Sequence, residues 1–292
     1  MSAPRRRLAA VRRFAGSRSA VVGAVGLGAL VLVAVLAPIV APFDPAAQGG
    51  EPLLGPSGAH LLGTDQLGRD IVSRMIHGAR GSLIVAAGAA LVGAGVGVPL
   101  GLVAGYLGRW ADTIAMRVVD LLLAVPGILL ALVIIAVLGP GRVNLILAIG
   151  IGAVPEFARL TRVATLEVRE RDFVLAAKGM GASTADTMAR TVLPNVLGPI
   201  MVQFVITAST AVVVEAGLSF LGLGTPPPAP SWGGMLQDAR SYLYQSPTYG
   251  LFPGICLAAT VFFLERIGRG LQLAVGGGGS RAGVRGVGRG AV

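Results

Sequence analysis

The sequence predicts an all-α, polytopic membrane protein with six transmembrane helices, and three observations support this prediction. Of the 292 residues, 54% are hydrophobic and 13% are charged, whereas a soluble globular chain has about a quarter of its residues charged. The mean hydropathy is +0.77. The apolar residues are gathered into runs, several of them near the roughly 20 residues that a helix needs to cross a bilayer. This composition excludes a soluble enzyme, because the charged residues are too few to cover a water-exposed surface.

The six predicted spans are apolar runs separated by charged or turn-forming residues. They cover residues 21–40, 83–107, 113–138, 143–158, 196–221 and 250–264. The first run follows a cluster of arginines, as the apolar core of a signal peptide does, but it is longer than such a core and no small-x-small cleavage site closes it. It is therefore predicted to be an uncleaved helix.

Basic residues predict the orientation, because they concentrate in cytoplasmic loops. Six of them lie in residues 1–20, six in loop 159–195 and three in residues 276–292, and six spans place all three segments on one side. The predicted organisation is a cytoplasmic N-terminus 1–20, a first span 21–41, an external segment 42–82, a five-helix core 83–275 with the cytoplasmic loop 159–195 and an external loop 222–249, and a disordered Gly- and Arg-rich tail 276–292.

The composition also excludes several classes of partner and chemistry. The net charge is +10, but the basic residues alternate with apolar runs and aromatic residues are only 5%, so we expect contact with membrane lipid and no nucleic acid. Cys256 is the only cysteine, which excludes an internal disulfide. The chain lacks a G-x-x-x-x-G-K-[ST] phosphate loop, and His60 and His77 stand apart. We expect no catalytic residue, no metal and no cofactor.

The second run carries glycines at every fourth position. Such a stripe lets the backbone of a neighbouring helix approach closely, so we expect it to be a packing surface. Pro99 and Pro126 interrupt the second and third spans, and we expect them only to bend their helices. The glycines of the stripe are Gly93, Gly97, Gly101 and Gly105.

Polar residues inside the fifth span are candidates for a transport route. Gln203, Thr207 and Thr210 fall on one face of a helix, where they either line a pathway or make ordinary hydrogen bonds between helices. Glu215 lies near the outer end of the same helix. An intramembrane carboxylate is a functional candidate by default; it either meets a transported amino group or, as we favour, pairs with an arginine of the external segment.

The loop at residues 172–194 is predicted to contain two short helices. Phe173, Ala176, Ala177 and Met180 recur at helical spacing and give a one-sided apolar face. Asp172 is the predicted N-cap of the first helix, and Gly181 is expected to follow its end in the left-handed conformation.

The second short helix is predicted from the spacing of Ser183 and Asp186, which is that of a capping box. Pro194 is expected to separate this helix from the fifth span. The physical chemistry alone leaves two interpretations open, because the same apolar face suits either insertion into a groove on a partner protein or adsorption to the membrane surface.

This loop resembles the signature of permease subunits in bacterial ABC importers, which has the form E-A-A, three residues, Gly, nine residues, I-x-L-P. Leu175 stands here in place of the Glu and Thr191 in place of the Ile. The matching positions are Ala176, Ala177, Gly181, Leu193 and Pro194.

Three further blocks are similar to the permeases of the dipeptide, oligopeptide and nickel importers, specifically to their C-type subunit. They are LGTDQLGRD at 62–70 with its continuation to residue 80, EAGLSFLGLG at 215–224 with PPAPSWG at 227–233, and LFPG at 251–254.

The resemblance implies a type I ABC-importer permease fold and a non-enzymatic pathway subunit in the bacterial inner membrane. It also implies a second homologous permease, two cytoplasmic ATPase subunits and an external solute-binding protein as partners. Short peptides are the expected cargo, with nickel, opine or glutathione-type cargo as the alternative; a stand-alone secondary transporter is a weaker alternative. The residues expected to couple to the ATPases are Asp172, Phe173, Ala176, Ala177, Lys178, Gly179, Gly181, Leu193 and Pro194.

Overall fold

The computed structural model describes residues 12–276, and within this range the named elements are all helices. The predicted tail beyond residue 276 and the first part of the basic N-terminus lie outside the described residues. The helices are α1 (Arg18–Val35), α2 (Ala37–Val40), α3 (Ile71–Leu107), α4 (Arg109–Leu123), α5 (Gly127–Leu138), α6 (Arg142–Arg169), α7 (Asp172–Gly179), α8 (Thr184–Asp186), a π-helix (Thr187–Val192), α9 (Leu193–Phe220), α10 (Trp232–Ala239) and α11 (Pro247–Gly276).

The structure has the six predicted spans when the strongly bent pair α4 and α5 is counted as one span. In the described residues, five helices are long and apolar enough to cross a membrane, and α4 with α5 forms a sixth span that turns by 83°. The expectation that Pro126 only bends the span 113–138 is therefore wrong. Pro126 lacks an N–H group and restricts the residue before it, so the helix ends at Leu123 and restarts at Gly127.

The second span begins earlier than the apolar run indicates. Asp70 caps α3, and its carboxylate accepts hydrogen bonds from the backbone N–H of Ser73 (2.7 Å) and from its hydroxyl (2.8 Å). The predicted external segment 42–82 thus ends in three turns of helix, with Arg74 buried in the first of them. A polar first turn with a strong cap is invisible to a search for apolar runs.

The fifth span is continuous with the short helix before it. Thr184–Phe220 runs without interruption, so the expectation that Pro194 separates them is wrong. Pro194 lies in the first turn of α9, where a missing N–H is tolerated. The preceding π-helix shifts the hydrogen-bond register, because the N–H of Leu193 donates to the carbonyl of Met188, five residues earlier.

The glycine stripe of α3 is confirmed as a packing surface, and it contacts α6. A Cβ atom added to Gly97 would lie 2.6 Å from the carbonyl oxygen of Val154, and one added to Gly105 would lie 2.7 Å from that of Arg162. Such distances are far inside van der Waals contact, so only glycine permits this approach. Phe157 of α6 is fully buried against the same stripe.

Residues 42–70 and 222–249 fold together over one end of the helix bundle, and we call these two segments the cap. Thr248 donates from its hydroxyl to the carbonyl of Leu62 (3.0 Å) across the two segments. The opposite end carries α7. These two ends correspond to the two sides of the membrane that the sequence predicts for these segments.

A buried ion cluster joins the cap to α3. The Nε atoms of Arg69 and Arg74 lie 2.6 and 3.2 Å from the same carboxylate oxygen of Asp65, and both arginines approach Asp238 to within 4 Å. Trp232 at the start of α10 is buried as well. Two arginines of the predicted external segment, Arg69 and Arg74, are therefore paired with Asp65 and Asp238.

Candidate functional site

The first short helix of the loop, α7, is attached to the bundle by few side chains. Val174 is its one buried residue and packs among Tyr106, Val168 and Val192. The ammonium nitrogen of Lys178 lies 4.7 Å from the centroid of the Tyr106 ring, a distance typical of a cation–π contact. These contacts fasten α7 to the ends of α3 and α6.

The predicted apolar face of α7 points away from the rest of the chain. Phe173, Ala176 and Met180 are exposed and Ala177 is half-buried. Met180 is 83% exposed, which is far more than an unbranched apolar side chain usually is in a folded protein. The face is thus an apolar surface that no described residue of this chain covers.

The turn between α7 and α8 has the predicted features, but the start of α7 does not. Gly181 has φ +85°, the left-handed conformation expected after a helix end. The hydroxyl of Ser183 accepts a hydrogen bond from the N–H of Asp186 (3.2 Å). The predicted N-cap is wrong, because Arg171 occupies that position and Asp172 is the first helical residue, where its charge favours the helix N-terminus.

The remaining residues of the predicted coupling set link this turn to α9. Gly179 is the last residue of α7 and is exposed; Leu193 is partly buried against the core and Pro194 is exposed. The helix from α8 through the π-helix to α9 is continuous, so no loop separates α8 from α9.

The candidate pathway residues of α9 lie beside a carboxylate that the sequence analysis missed. The amide of Gln203 donates to the carboxylate of Glu156 on α6 (2.8 Å) and lies 3.3 Å from the hydroxyl of Thr207. Thr210 is exposed one turn further on, with its hydroxyl donating to the carbonyl of Ile206 (3.2 Å). The structure therefore brings the three predicted residues together and adds Glu156.

Three of these residues, Glu156, Thr207 and Thr210, line a cavity of about 150 Å³ beside the start of α5. Its wall includes Gly127, Glu156, Thr207 and Thr210. The signal that identifies Glu156 is present in the sequence, since it is a carboxylate within the predicted fourth span, at residues 143–158. Like Glu215, Glu156 is a functional candidate, because a carboxylate inside a membrane span is one by default.

Glu215, in contrast, lies in the interior. It is fully buried and accepts hydrogen bonds from the hydroxyls of Ser82 (3.0 Å) and Ser219 (2.8 Å). The prediction that it pairs with an arginine of the external segment is wrong, because Asp65 holds Arg69 and Arg74 and the serines satisfy the carboxylate. A fully buried group also lines no surface, so the structure places Glu215 outside the predicted pathway lining.

The two histidines are engaged in local contacts. His60 Nδ1 lies 2.9 Å from the carboxylate of Asp70, and His77 Nδ1 lies 3.1 Å from the carbonyl of Ser73. Among residues 12–276, no group of three or more His, Cys, Asp or Glu residues is arranged to hold a metal ion.

A bundle of long apolar helices with one broken span is the architecture of an integral membrane protein. Residues 97–275 match the family described as "Binding-protein-dependent transport system inner membrane component", and residues 8–56 match the "N-terminal TM domain of oligopeptide transport permease C". The chain belongs to the first of these families, whose match covers more than half of its length.

Similar proteins of known name support this membership. The chain is 40% identical to the di/tripeptide transport system permease protein DppC of Pseudomonas aeruginosa, with 89% of this chain and 88% of that protein covered. It is 41% identical to the glutathione transport system permease protein GsiD of Pectobacterium atrosepticum, with 89% and 87% covered.

A solved structure shows the same fold. A chain of the inward-facing MetNI methionine ABC transporter superimposes with a TM-score of 0.56 at 21% identity, and the match covers 69% of this chain and 96% of that one. The protein is therefore a multi-pass inner-membrane permease subunit of an ABC importer, with the type I importer permease fold that the sequence predicts.

Proposed function

We propose that this chain forms, with a second homologous permease, a membrane pathway for short peptides. Dipeptides, tripeptides and glutathione, the cargos in the names of its relatives, are all short peptides. Glutathione-type cargo is accordingly the second candidate. An external solute-binding protein delivers the cargo and two cytoplasmic ATPase subunits supply the energy.

The observation that carries this proposal is the exposed apolar face of α7, which is joined to α9 through an unbroken helix. A motor outside the membrane needs an element that both binds it and moves the membrane helices. In our proposal the face of α7 fits a groove on one of the two ATPases, and α8 and the π-helix transmit the movement. The coupling residues are Asp172, Phe173, Ala176, Ala177, Lys178, Gly179, Gly181, Leu193 and Pro194.

The proposed pathway runs along the face of α9 that carries Gln203, Thr207 and Thr210. These are the polar side chains of a span that is otherwise apolar on this surface, and two of them line the cavity at the bend. Polar groups at membrane depth are tolerated where they face a neighbouring helix or water.

In the proposed orientation both termini and α7 face the cytoplasm, and the cap faces outward. Cysteine labelling tests this in a Cys256→Ala background. Ser183→Cys should react with a membrane-impermeant thiol reagent from the cytoplasmic side only, and Ser57→Cys from the outside only. Reaction of Ser57→Cys from the cytoplasmic side alone would reverse the orientation.

Uptake by the complex that co-purifies with this chain tests the cargo. The complex in proteoliposomes, supplied with its binding protein and ATP, should accumulate radiolabelled L-alanyl-L-alanine, and uptake should stop without ATP. Accumulation of nickel or of an opine in place of both the dipeptide and glutathione would contradict the proposed cargo.

A further inference from the structure

Glu156 lies near the middle of α6, two residues before the end of the apolar run 143–158 and within the roughly 20 residues that cross a bilayer core. It follows Arg142, the first residue of α6, by fourteen residues, which is about 21 Å along a helix that rises 1.5 Å per residue. The whole helix is about 42 Å long by the same measure, which exceeds a bilayer core of roughly 30 Å. The carboxylate is therefore at membrane depth, and its residue is exposed on the surface of this chain.

Two independent features place water or cargo at this depth. A carboxylate inside a membrane is kept only where it faces a cavity or a partner, and non-helical backbone at this depth occurs only where it is buried in protein or lines a cavity. Gly127, the first helical residue after the break between α4 and α5, and Glu156 line the same cavity. The first turn of α5, with Gly127 and Ile128 in the wall, directs the positive end of a helix dipole toward it.

The charge of Glu156 has no cationic partner among the described residues. The two nearest arginines on α6 are already paired with aspartates of α4: Arg159 with Asp120 (2.7 Å) and Arg162 with Asp112. The contact recorded for its carboxylate is the neutral amide of Gln203. One carboxylate oxygen of Glu156 is thus held in place by a neutral donor, while no cation among the described residues neutralises the negative charge.

We propose that Glu156 binds the ammonium group of the transported molecule as it passes the bend, with Gln203 fixing the carboxylate and Thr207 and Thr210 offering hydroxyls beside it. This proposal rests on the proposed function, because it takes the α9 face to line the pathway. It makes the pathway selective for cargo that carries a positive charge at one end, as the N-terminus of a peptide does.

The test measures the charge preference of the cavity directly, on the complex purified through this chain. Thr210→Cys in a Cys256→Ala background is labelled with a cationic trimethylammonium-ethyl and an anionic sulfonato-ethyl methanethiosulfonate. The ratio of the two rates should fall about tenfold when Glu156→Gln is added, since one unit charge acts oppositely on the two reagents at a few ångströms. The ratio at the exposed Ser57→Cys should not change.

The outcomes separate the two proposals. If Thr210→Cys reacts with neither reagent, the face does not line an aqueous route, and both the lining and the role of Glu156 are overturned. If it reacts but Glu156→Gln leaves the ratio unchanged, the lining stands and the cation-binding role is wrong. A loss of the second permease on purification of Glu156→Gln would instead assign the charge to an ion pair between subunits.

Uptake provides the second readout. Glu156→Gln should reduce uptake of L-alanyl-L-alanine about tenfold, because a hydrogen bond to a charged group is replaced by a neutral one, while ATP hydrolysis stimulated by loaded binding protein persists. Glu167→Gln is the matched control on the same helix, where an exposed pair with Arg171 contributes little. Equal uptake by both variants would contradict the proposal.

Discussion

The contact between α3 and α6 and the attachment of α7 hold their helices in opposite ways. Along the glycine stripe, backbone meets backbone, so that even one added methyl group at Gly97 or Gly105 finds no space. At α7 a single buried side chain, Val174, and the stacked Lys178 make the attachment, while the apolar face remains exposed.

The difference indicates which parts of the chain move together. Close-packed interfaces are not continuously deformable, so α3 and α6 act as one rigid frame. An element held by few buried contacts has low local stability and is more easily displaced. In the proposed mechanism α7 and α9 therefore shift relative to the α3–α6 frame.

The largest expected effect comes from filling the glycine stripe. Gly97→Leu should prevent the subunit from accumulating in the membrane, because its side chain would meet the carbonyl of Val154 and the Cβ of Phe157. The loss of folding free energy should exceed about 1–3 kcal/mol, the range typical of overpacking, since the backbone atoms cannot rotate away. Membrane abundance measured by immunoblotting checks this.

Gly95→Leu on the same helix is the control, because a Cβ atom at Gly95 meets nothing within 4 Å. It should accumulate normally. Equal accumulation of Gly97→Leu and Gly95→Leu would show that the α3–α6 contact is looser than the structure has it.

A smaller effect of a different kind is expected at α7. Ala177→Trp should leave the membrane fold intact, because Ala177 is half-buried and belongs to no buried cluster of the bundle, but it should weaken ATPase association. Overpacking a docking contact by about 1–3 kcal/mol lowers association by a factor of roughly 5–150. Recovery of ATPase on purification and peptide uptake should fall together.

Thr113→Trp, at an exposed position of α4, controls for the added aromatic ring. Full ATPase recovery with Ala177→Trp, or an equal loss with Thr113→Trp, would remove the support for α7 as the docking element.

The smallest effect concerns Glu215 of α9, whose buried carboxylate is hydrogen-bonded to Ser82 of α3. Ser82→Ala removes one of the two hydroxyls that hydrogen-bond the buried carboxylate, which should lower the free energy of unfolding by about 1–3 kcal/mol. The melting temperature of the purified complex should fall, while ATPase recovery is unchanged. Ser57→Ala in the exposed part of the cap should have no effect, and an unaltered melting temperature for Ser82→Ala would mean that Ser219 alone satisfies Glu215.

The sequence predicts most of this architecture because the bilayer imposes simple rules on it. Apolar length identifies the spans, and a four-residue glycine period identifies the α3 contact. Gly181 and Ser183 predict the turn between α7 and α8, because backbone conformation and capping depend on local chemistry.

What the sequence does not predict depends on non-local geometry. Pro126 gives the same signal for a slight bend as for an 83° break, and the outcome depends on packing around it. Pro194 is compatible with either a helix start or a separator. Glu156 is hydrogen-bonded to Gln203, 47 residues away, and Glu215 to Ser82, 133 residues away, so no spacing rule identifies these two contacts. The second partner of Glu215, Ser219, lies four residues away on the same helix.

The measurement that tests the account most directly is a cross-link from α7 in the purified complex. Ala177→Cys in a Cys256→Ala background, treated with a short thiol-reactive cross-linker, should join this chain to a polypeptide that contains a phosphate-binding loop. Thr113→Cys should give no such product. A cross-link from Thr113→Cys but not from Ala177→Cys, or none from α7 in a complex that hydrolyses ATP and takes up peptide, would contradict α7 as the point where the motor drives the membrane helices.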